Sequence, residues 1–278
     1  MEKLRFSVII PTLNEEKFLP HLLTSLTVQT VGDFEVIVVD GTSSDRTIAV
    51  ASTFKKQLPH LTVIRSDKPG VSRQRNVGAK TAKASWLVFV DADSVLLPNF
   101  FERISWYIDK KHPKFFTTWF RTDRDDSGDA IAGFIGNIAL ESMVLIDRPW
   151  APGPLTVVRR DVFAMVGGYD ENTSFGEDHD LSMMIYERGV PFQIFREILY
   201  IYSLRRFRKE GTLKVLERNL KSAFSVIMTK RGPKHMPGFI PGGILCKHDG
   251  EKKQKKKLQL GLSAFEKSVK KFIQEFVT

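Results

Sequence analysis

The triplet Asp91-Ala92-Asp93 places two carboxylates two residues apart, directly after the apolar run Trp86–Val90. Two acids at the end of a buried strand repel each other and resist desolvation, so they need a positive partner. A hard divalent cation, Mg²⁺ or Mn²⁺, suits them, because it binds through one or two carboxylates and completes its shell with substrate phosphates. The competing reading is that the pair only caps the turn that follows. A second acidic cluster, Gly176-Glu177-Asp178-His179-Asp180, opens a segment with helical spacing. The helix dipole favours acids at an N-terminus, which accounts for Glu177 and Asp178 but not for the whole cluster. A carboxylate at that position can take the proton from a hydroxyl as it attacks. His179 could help position an acceptor there; the structural reading is preferred for it. Trp150 and Tyr169 offer rings either for stacking on a sugar face or for core packing.

Neither a GxGxxG turn after the first apolar run nor a GxxxxGK[ST] loop is present, which disfavours dinucleotide-dependent enzymes and P-loop NTPases. A diphosphate would then be held by metal and by basic side chains. Arg73 and Arg75 ahead of the Asp91 strand are candidates, as are Arg205 and Arg206; each could equally be a surface ion pair.

The elements that must position these groups alternate. Phe6–Ile10, Phe34–Val39, Leu61–Ile64 and Trp86–Val90 read as strands, separated by amphipathic segments at Leu19–Leu26, from Ser44 or Asp45 through Phe54, and at Ser72–Ala82. Such alternation predicts an α/β fold with a doubly wound, mostly parallel sheet, in which ligands bind outside the carboxyl ends of the strands. Thr12–Asn14–Glu15, Asp40 and Asp91–Asp93 all fall at those ends and should converge on one crevice. The second half is less regular. Phe115–Phe120 and Leu155–Val158 read as strands, and Arg160–Val166, Glu177–Arg188 and Thr212–Thr229 as helices. Arg121–Asn137, polar and glycine-containing, reads as a mobile loop. Lys230–Gly250 reads as a linker or lid, Lys252–Lys257 as a lysine run, and Ser263–Val277 as a last amphipathic helix.

The runs SVIIPTLNEE, VIVVDGTSSDRT, RQRNVGAKTAKASWLVFVDADS and VVRRDVFAMVGGYDENTSFGEDHDL, in this order, resemble the family-2 glycosyltransferases of the GT-A fold over roughly residues 4–206. The resemblance implies an inverting transfer of sugar from a nucleotide-diphosphate donor, UDP-sugars first. It implies that Pro11, Thr12 and Glu15 line the nucleoside and that Asp40 contacts the base. Asp91 and Asp93 would form the metal motif, with Asp93 the direct ligand of Mn²⁺ or Mg²⁺. Glu177-Asp178 would supply the general base, Asp178, and Arg205-Arg206 would lie near the diphosphate. Where many relatives carry two acids before the glycine, this chain has only Asp40 before Gly41, which bears on the choice of nucleotide. A sugar nucleotidyltransferase is the nearest alternative, but Pro11–Glu16 lacks its glycine-rich loop and lysine. A non-catalytic nucleotide-sugar or polyanion binder would have no need of Asp178 beside a second acid.

The chain has 278 residues and 42% apolar composition, enough for a packed domain with an appendage. The expected division is 1–210 as catalytic domain (1–95 for the nucleotide, 96–210 for the acceptor) and 211–278 as a basic helical extension. Cys246 is alone, which rules out an intramolecular disulfide framework. No secretory signal and no uninterrupted apolar stretch of about 18 residues occur, so a cytoplasmic protein without a membrane span is expected. Charge is uneven: residues 205–278 carry 19 Lys and Arg against 6 Asp and Glu, and the first 204 residues carry 23 against 26. The basic end either docks peripherally on an anionic membrane, suiting a lipid-linked acceptor in glycolipid or polysaccharide biosynthesis, or packs on the catalytic domain with its lysines solvated. No nucleic-acid recognition motif accompanies it, so no such partner is expected.

Overall fold

A computed structural model describes residues 4–124, 127–173, 175–229, 231–233, 235–236, 238–240 and 242–245. Four strands, β1 (Phe6–Thr12), β2 (Phe34–Asp40), β3 (Leu61–Arg65) and β4 (Trp86–Val90), lie parallel in the order β3-β2-β1-β4. β1, β2 and β4 are buried along their whole length, as near-continuous apolar runs covered on both faces must be. The crossovers between these strands carry α1 (Leu19–Thr27), α2 (Thr47–Thr53) and α3 (Val71–Thr81).

The second half completes a mixed sheet. β5 (Val95–Leu96), α4 (Phe100–Lys111), β6 (Phe115–Thr122), α5 (Ser127–Leu145), β7 (Leu155–Arg159), α6 (Arg160–Met165), α7 (Glu177–Glu187) and β8 (Gln193–Tyr202) follow in sequence. The full strand order is β3-β2-β1-β4-β7-β6-β8-β5. β7 runs antiparallel to both neighbours, and β6 pairs parallel with β8. One apolar cluster, around Phe6, Val88, Phe101 and Tyr200, fills one face; a second, around Ile9, Phe89, Phe163 and Leu181, fills the other. The architecture is the doubly wound, mostly parallel, mixed sheet that the alternation predicts. α8 (Arg205–Glu210) and α9 (Thr212–Thr229) follow, joined at Gly211, and α10 (Gly242–Leu245) is the last described element.

Arg121–Asn137 is not a loop. β6 continues to Thr122, and α5 begins at Ser127 and runs to Leu145. The glycines taken as breakers allow close packing instead. A Cβ on Gly136 would lie 2.9 Å from the Phe120 ring, and one on Gly133 would lie 3.3 Å from Thr122 Cγ2. Asn137 locks the contact by accepting from the Phe120 N–H (3.2 Å) and donating to its carbonyl (2.9 Å). By length and composition α5 could cross a membrane. The lysine run, the expected helix at Ser263–Val277 and Cys246 lie outside the described residues.

Candidate active site

The loops leaving β1 and β2 interlock at the carboxyl end of the sheet. Gly41 N–H donates to the Thr12 carbonyl (2.8 Å), Asn14 N–H to Ser43 Oγ (2.8 Å), and Glu15 N–H to Thr47 Oγ1 (2.8 Å). Asn14 adopts a left-handed conformation, φ 54°, and its Oδ1 accepts from Ser44 N–H. Gln74 of α3 clamps both strands, donating to the carbonyls of Thr12 and Val39, each at 2.7 Å. Pro11 lies inside β1, opposite Val39. Asp40 is fully buried; its Oδ2 accepts from Ser43 N–H (2.9 Å), and its Oδ1 has no partner.

Glu15, in the next turn, is 5% exposed. Arg205, at the start of α8, forks onto it at 2.7 and 2.8 Å and reaches Asp93 Oδ2 through Nε at 2.6 Å. The guanidinium lies over the Phe18 ring, 4.4 Å from its centroid. Burial pushes the Glu15 carboxyl up to about 7 against the pull of Arg205. Burial likewise raises Asp93, again opposed by Arg205. Asp93 also walls a cavity of about 340 Å³ with Phe18, His21, Arg121, Asp123 and Ser203.

Arg75 occupies the centre. Its side chain is 2% exposed. Nη1 donates to Asp178 Oδ1 (2.8 Å) and Glu177 Oε1 (3.3 Å), and Nη2 to Asp91 Oδ1 (3.0 Å) and the Gly153 carbonyl (3.2 Å). The Tyr169 ring closes the other side at 5.1 Å. Burial works against the Arg75 charge, but Asp178, Tyr169, Asp91 and Glu177 together hold its pKa well above the usual arginine value. Burial raises both Asp178 and Glu177, with Arg75 opposing it in each case. The strand-end acid and the helix-start acid thus meet on one guanidinium. Gly153 makes room for them, since a Cβ there would sit 2.7 Å from Asp178 Oδ2 and 3.5 Å from Asp91 Oδ2.

Three of the four candidate arginines are held by other groups. Arg75 is buried behind the carboxylates and bonded to them. Arg73 is held by Asp67 and Glu171, with its Nη1 2.7 Å from Glu171 Oε2. Arg206 turns to the C-terminal segment, donating to Glu210 Oε1 and the Ile240 carbonyl, each at 2.8 Å, over the Phe239 ring. Of the four, Arg205 touches Asp93 and Arg75 touches Asp91, whereas Arg73 and Arg206 reach neither. His179 is buried, its ring stacked on Trp150 at 4.5 Å, and burial pushes its pKa down to about 3, so it is neutral at physiological pH. Sequence reasoning missed Gly153, Gln74, Asp123 and Phe18. A glycine flanked by prolines, Pro152-Gly153-Pro154, was the available signal for Gly153.

Helix α7 starts at Gly176 with φ 82°, and the backbone of Gly232 packs directly on it: a Cβ on Gly232 would come within 2.6 Å of the Gly176 carbonyl. Gly232 N–H donates to Asp180 Oδ1 (2.9 Å). Gly232, within the Lys230–Gly250 stretch, is therefore braced against the helix carrying Asp178.

Glu15, Asp91, Asp93, Glu177 and Asp178 share two arginines, which leaves an excess of carboxylate oxygen. This donor set fits a hard divalent cation at Asp91 and Asp93. Among the described residues no three His, Cys, Asp or Glu surround one point, so such an ion would need oxygens from a bound phosphate.

The sequence model of glycosyl transferase family 2 matches residues 7–165. An uncharacterized glycosyltransferase of Haemophilus influenzae is 27% identical over 201 residues, 70% of this chain and 67% of that one. A PGL/p-HBAD biosynthesis glycosyltransferase of Mycobacterium tuberculosis is 44% identical over 92 residues, and this match spans 33% of the present chain and 36% of the relative. Among solved structures, Staphylococcus aureus TarS 1–349 in complex with UDP superposes with a TM-score of 0.60 at 22% identity, over 72% of this chain and 60% of that one. The mannosyltransferase PcManGT of Pyrobaculum calidifontis, in complex with GDP-Man and Mn²⁺, gives a TM-score of 0.65 at 18% identity, over 83% and 66%. With a family match across more than half its length, on a GT-A-like sheet, this chain belongs to glycosyl transferase family 2.

Proposed function

We propose that the chain is an inverting, metal-dependent glycosyltransferase that moves a sugar from a nucleotide-diphosphate sugar, a UDP-sugar first, to a hydroxyl or phosphate acceptor on a glycan or lipid-linked molecule. The observation that carries this reading is the Arg75 fork, which joins Asp91 of one acidic pair to Asp178 of the other across Gly153. It brings a metal-side acid and a base-side acid to one centre.

Asp93, with Asp91 beside it, is the proposed seat of Mn²⁺ or Mg²⁺. A cation there supplies positive charge against the diphosphate as negative charge grows on it. Asp178 takes the proton of the acceptor hydroxyl while that oxygen bonds to the anomeric carbon. The bond from this carbon to the diphosphate oxygen breaks, and the nucleoside diphosphate leaves with the electron pair. One displacement from the opposite side inverts the anomeric configuration. Burial raises the proton affinity of Asp178 above that of an ordinary carboxylate, the direction that favours a base. Arg75 keeps the ionised form accessible. The unpartnered Asp40 Oδ1 is an acceptor suited to a base N–H, and Arg205 is the cation within reach of phosphate beside Asp93. The UDP, UDP-GlcNAc and GDP-Man complexes of the structural neighbours support a nucleotide-sugar donor, and the Mn²⁺ of PcManGT supports the metal.

The test is donor binding and turnover across a panel of nucleotide sugars, with and without Mn²⁺ or Mg²⁺, in wild type, Asp93→Ala and Asp178→Asn. One donor should depend on metal, Asp93→Ala should abolish its binding, and Asp178→Asn should bind without reacting. Full turnover by Asp178→Asn would overturn the assignment of the base.

A further inference from the structure

Two surface helices bury apolar residues, Leu140 and Met143 on α5 and Val215 and Val226 on α9, and expose further apolar side chains to solvent. On α5 and the residue after it, Ile131, Phe134, Ile135, Ile138, Leu145 and Ile146 are exposed, from 40% to 84%. The first four recur at helical spacing and form one stripe. The face of α5 that meets the protein carries its polar anchors. Asn137 bonds the Phe120 backbone, and Glu141 accepts from Trp119 Nε1 (2.9 Å) and pairs with Arg196 (2.6 Å). On α9, Leu220, Phe224, Ile227 and Met228 form a second exposed stripe, while Val215, Arg218, Ser222 and Val226 are buried. The two elements are tied at both ends. Arg208 lies 3.5 Å from Asp129 at the start of α5, and Arg148 Nε donates to the Ile227 carbonyl (3.4 Å) beyond its end. α5 is thus linked to α8 near its start and to the end of α9 just beyond its own end. An apolar surface of this extent marks an interaction site.

We propose that this face rests in the interface of an anionic membrane, with α5 and α9 lying in its plane. Charge selects this occupant. Residues 205–278, which contain α9, carry 19 Lys and Arg against 6 Asp and Glu; Lys214 and Lys221 on α9 and Arg231 just after it are exposed, with Lys221 paired to Glu217 and Arg231 to Glu187. A second copy of the chain carries the same net charge of +10, so like charge opposes self-association. An anionic bilayer offers acyl chains to the isoleucines and phenylalanines and negative headgroups to the basic rim. The polar anchors on the inner side of α5 make it a helix that lies on the surface rather than one that crosses. The proposal holds whether or not the acceptor is a lipid.

The experiment is vesicle flotation of the full chain. Wild type is compared with Phe134→Ser/Ile138→Ser/Leu220→Ser/Phe224→Ser on vesicles of phosphatidylcholine alone and of phosphatidylcholine with phosphatidylglycerol. Wild type should float with the anionic vesicles, less in high salt, and the variant's partition should fall at least about tenfold. Since the four side chains are exposed, the melting temperature should be unchanged, and a single Phe224→Glu variant should show the same direction. Three results would overturn the proposal. One is equal flotation of variant and wild type. Another is no flotation of wild type, as when other parts of the chain cover the face. The third is a lipid-free dimer that the variant dissociates.

Discussion

Arg75 Nη1 lies 2.8 Å from Asp178 Oδ1, although the two residues stand 103 positions apart in the chain. The same guanidinium reaches Asp91 at 3.0 Å. Removing one partner from a buried ionic cluster leaves uncompensated charge, and lysine cannot reproduce a fork that serves several acceptors. Arg75→Lys is expected to lose about 3 kcal/mol of stability in urea unfolding. Sugar transfer should fall further than donor affinity does. A variant as stable as wild type would show that the cluster does not depend on the fork.

Gly153 gives a second, more local probe. An alanine methyl would intrude on Asp178 Oδ2 at 2.7 Å and on Arg75 Nη2 at 3.1 Å. A displacement of the base on the order of 1 Å costs about a hundredfold in rate. Gly153→Ala should therefore reduce kcat by about that factor while nucleotide affinity, measured by calorimetry, changes little.

His179 makes stability depend on pH. Its folded pKa, about 3, lies below the unfolded value of 6.5. Between the two the unfolded chain binds more protons, so stability is lost as pH falls below about 6.5. His179→Phe keeps a ring against Trp150 and removes the titration. Relative to wild type it should gain about 2 kcal/mol on going from pH 8 to pH 5, by denaturant unfolding at each pH.

Asn137 tests the anchoring of α5. Asn137→Ala strands the N–H and carbonyl of Phe120. A loss of about 2 kcal/mol in stability is expected, with donor affinity unaltered. Thermal melts and nucleotide titration on the same preparation check both halves.

The parallel half of the sheet was legible because its strands are uninterrupted apolar runs, and the strand-end rule then gathered Glu15, Asp40, Asp91 and Asp93 without coordinates. β8 was not legible. Arg196 and Glu197 interrupt its pattern, and only tertiary partners, Glu141 and Arg103, make that charged pair compatible with a strand. The same holds for α5, where glycines that read as breaks are fitted to Phe120 and Thr122 of β6. The links from Arg75 to Asp91 and Asp178 were not legible either. A side chain that pairs across about a hundred residues leaves no trace in local spacing.

The meeting of Gly176 with Gly232 bears on how far this protein tolerates shortening. Two main chains touch there with no side chain between them, so the contact cannot be weakened by degrees through substitution; it is kept or forfeited. A chain cut before Gly232 would remove the wedge behind the turn that launches Glu177 and Asp178, and the defect would register two residues away at the proposed base rather than at the severed end.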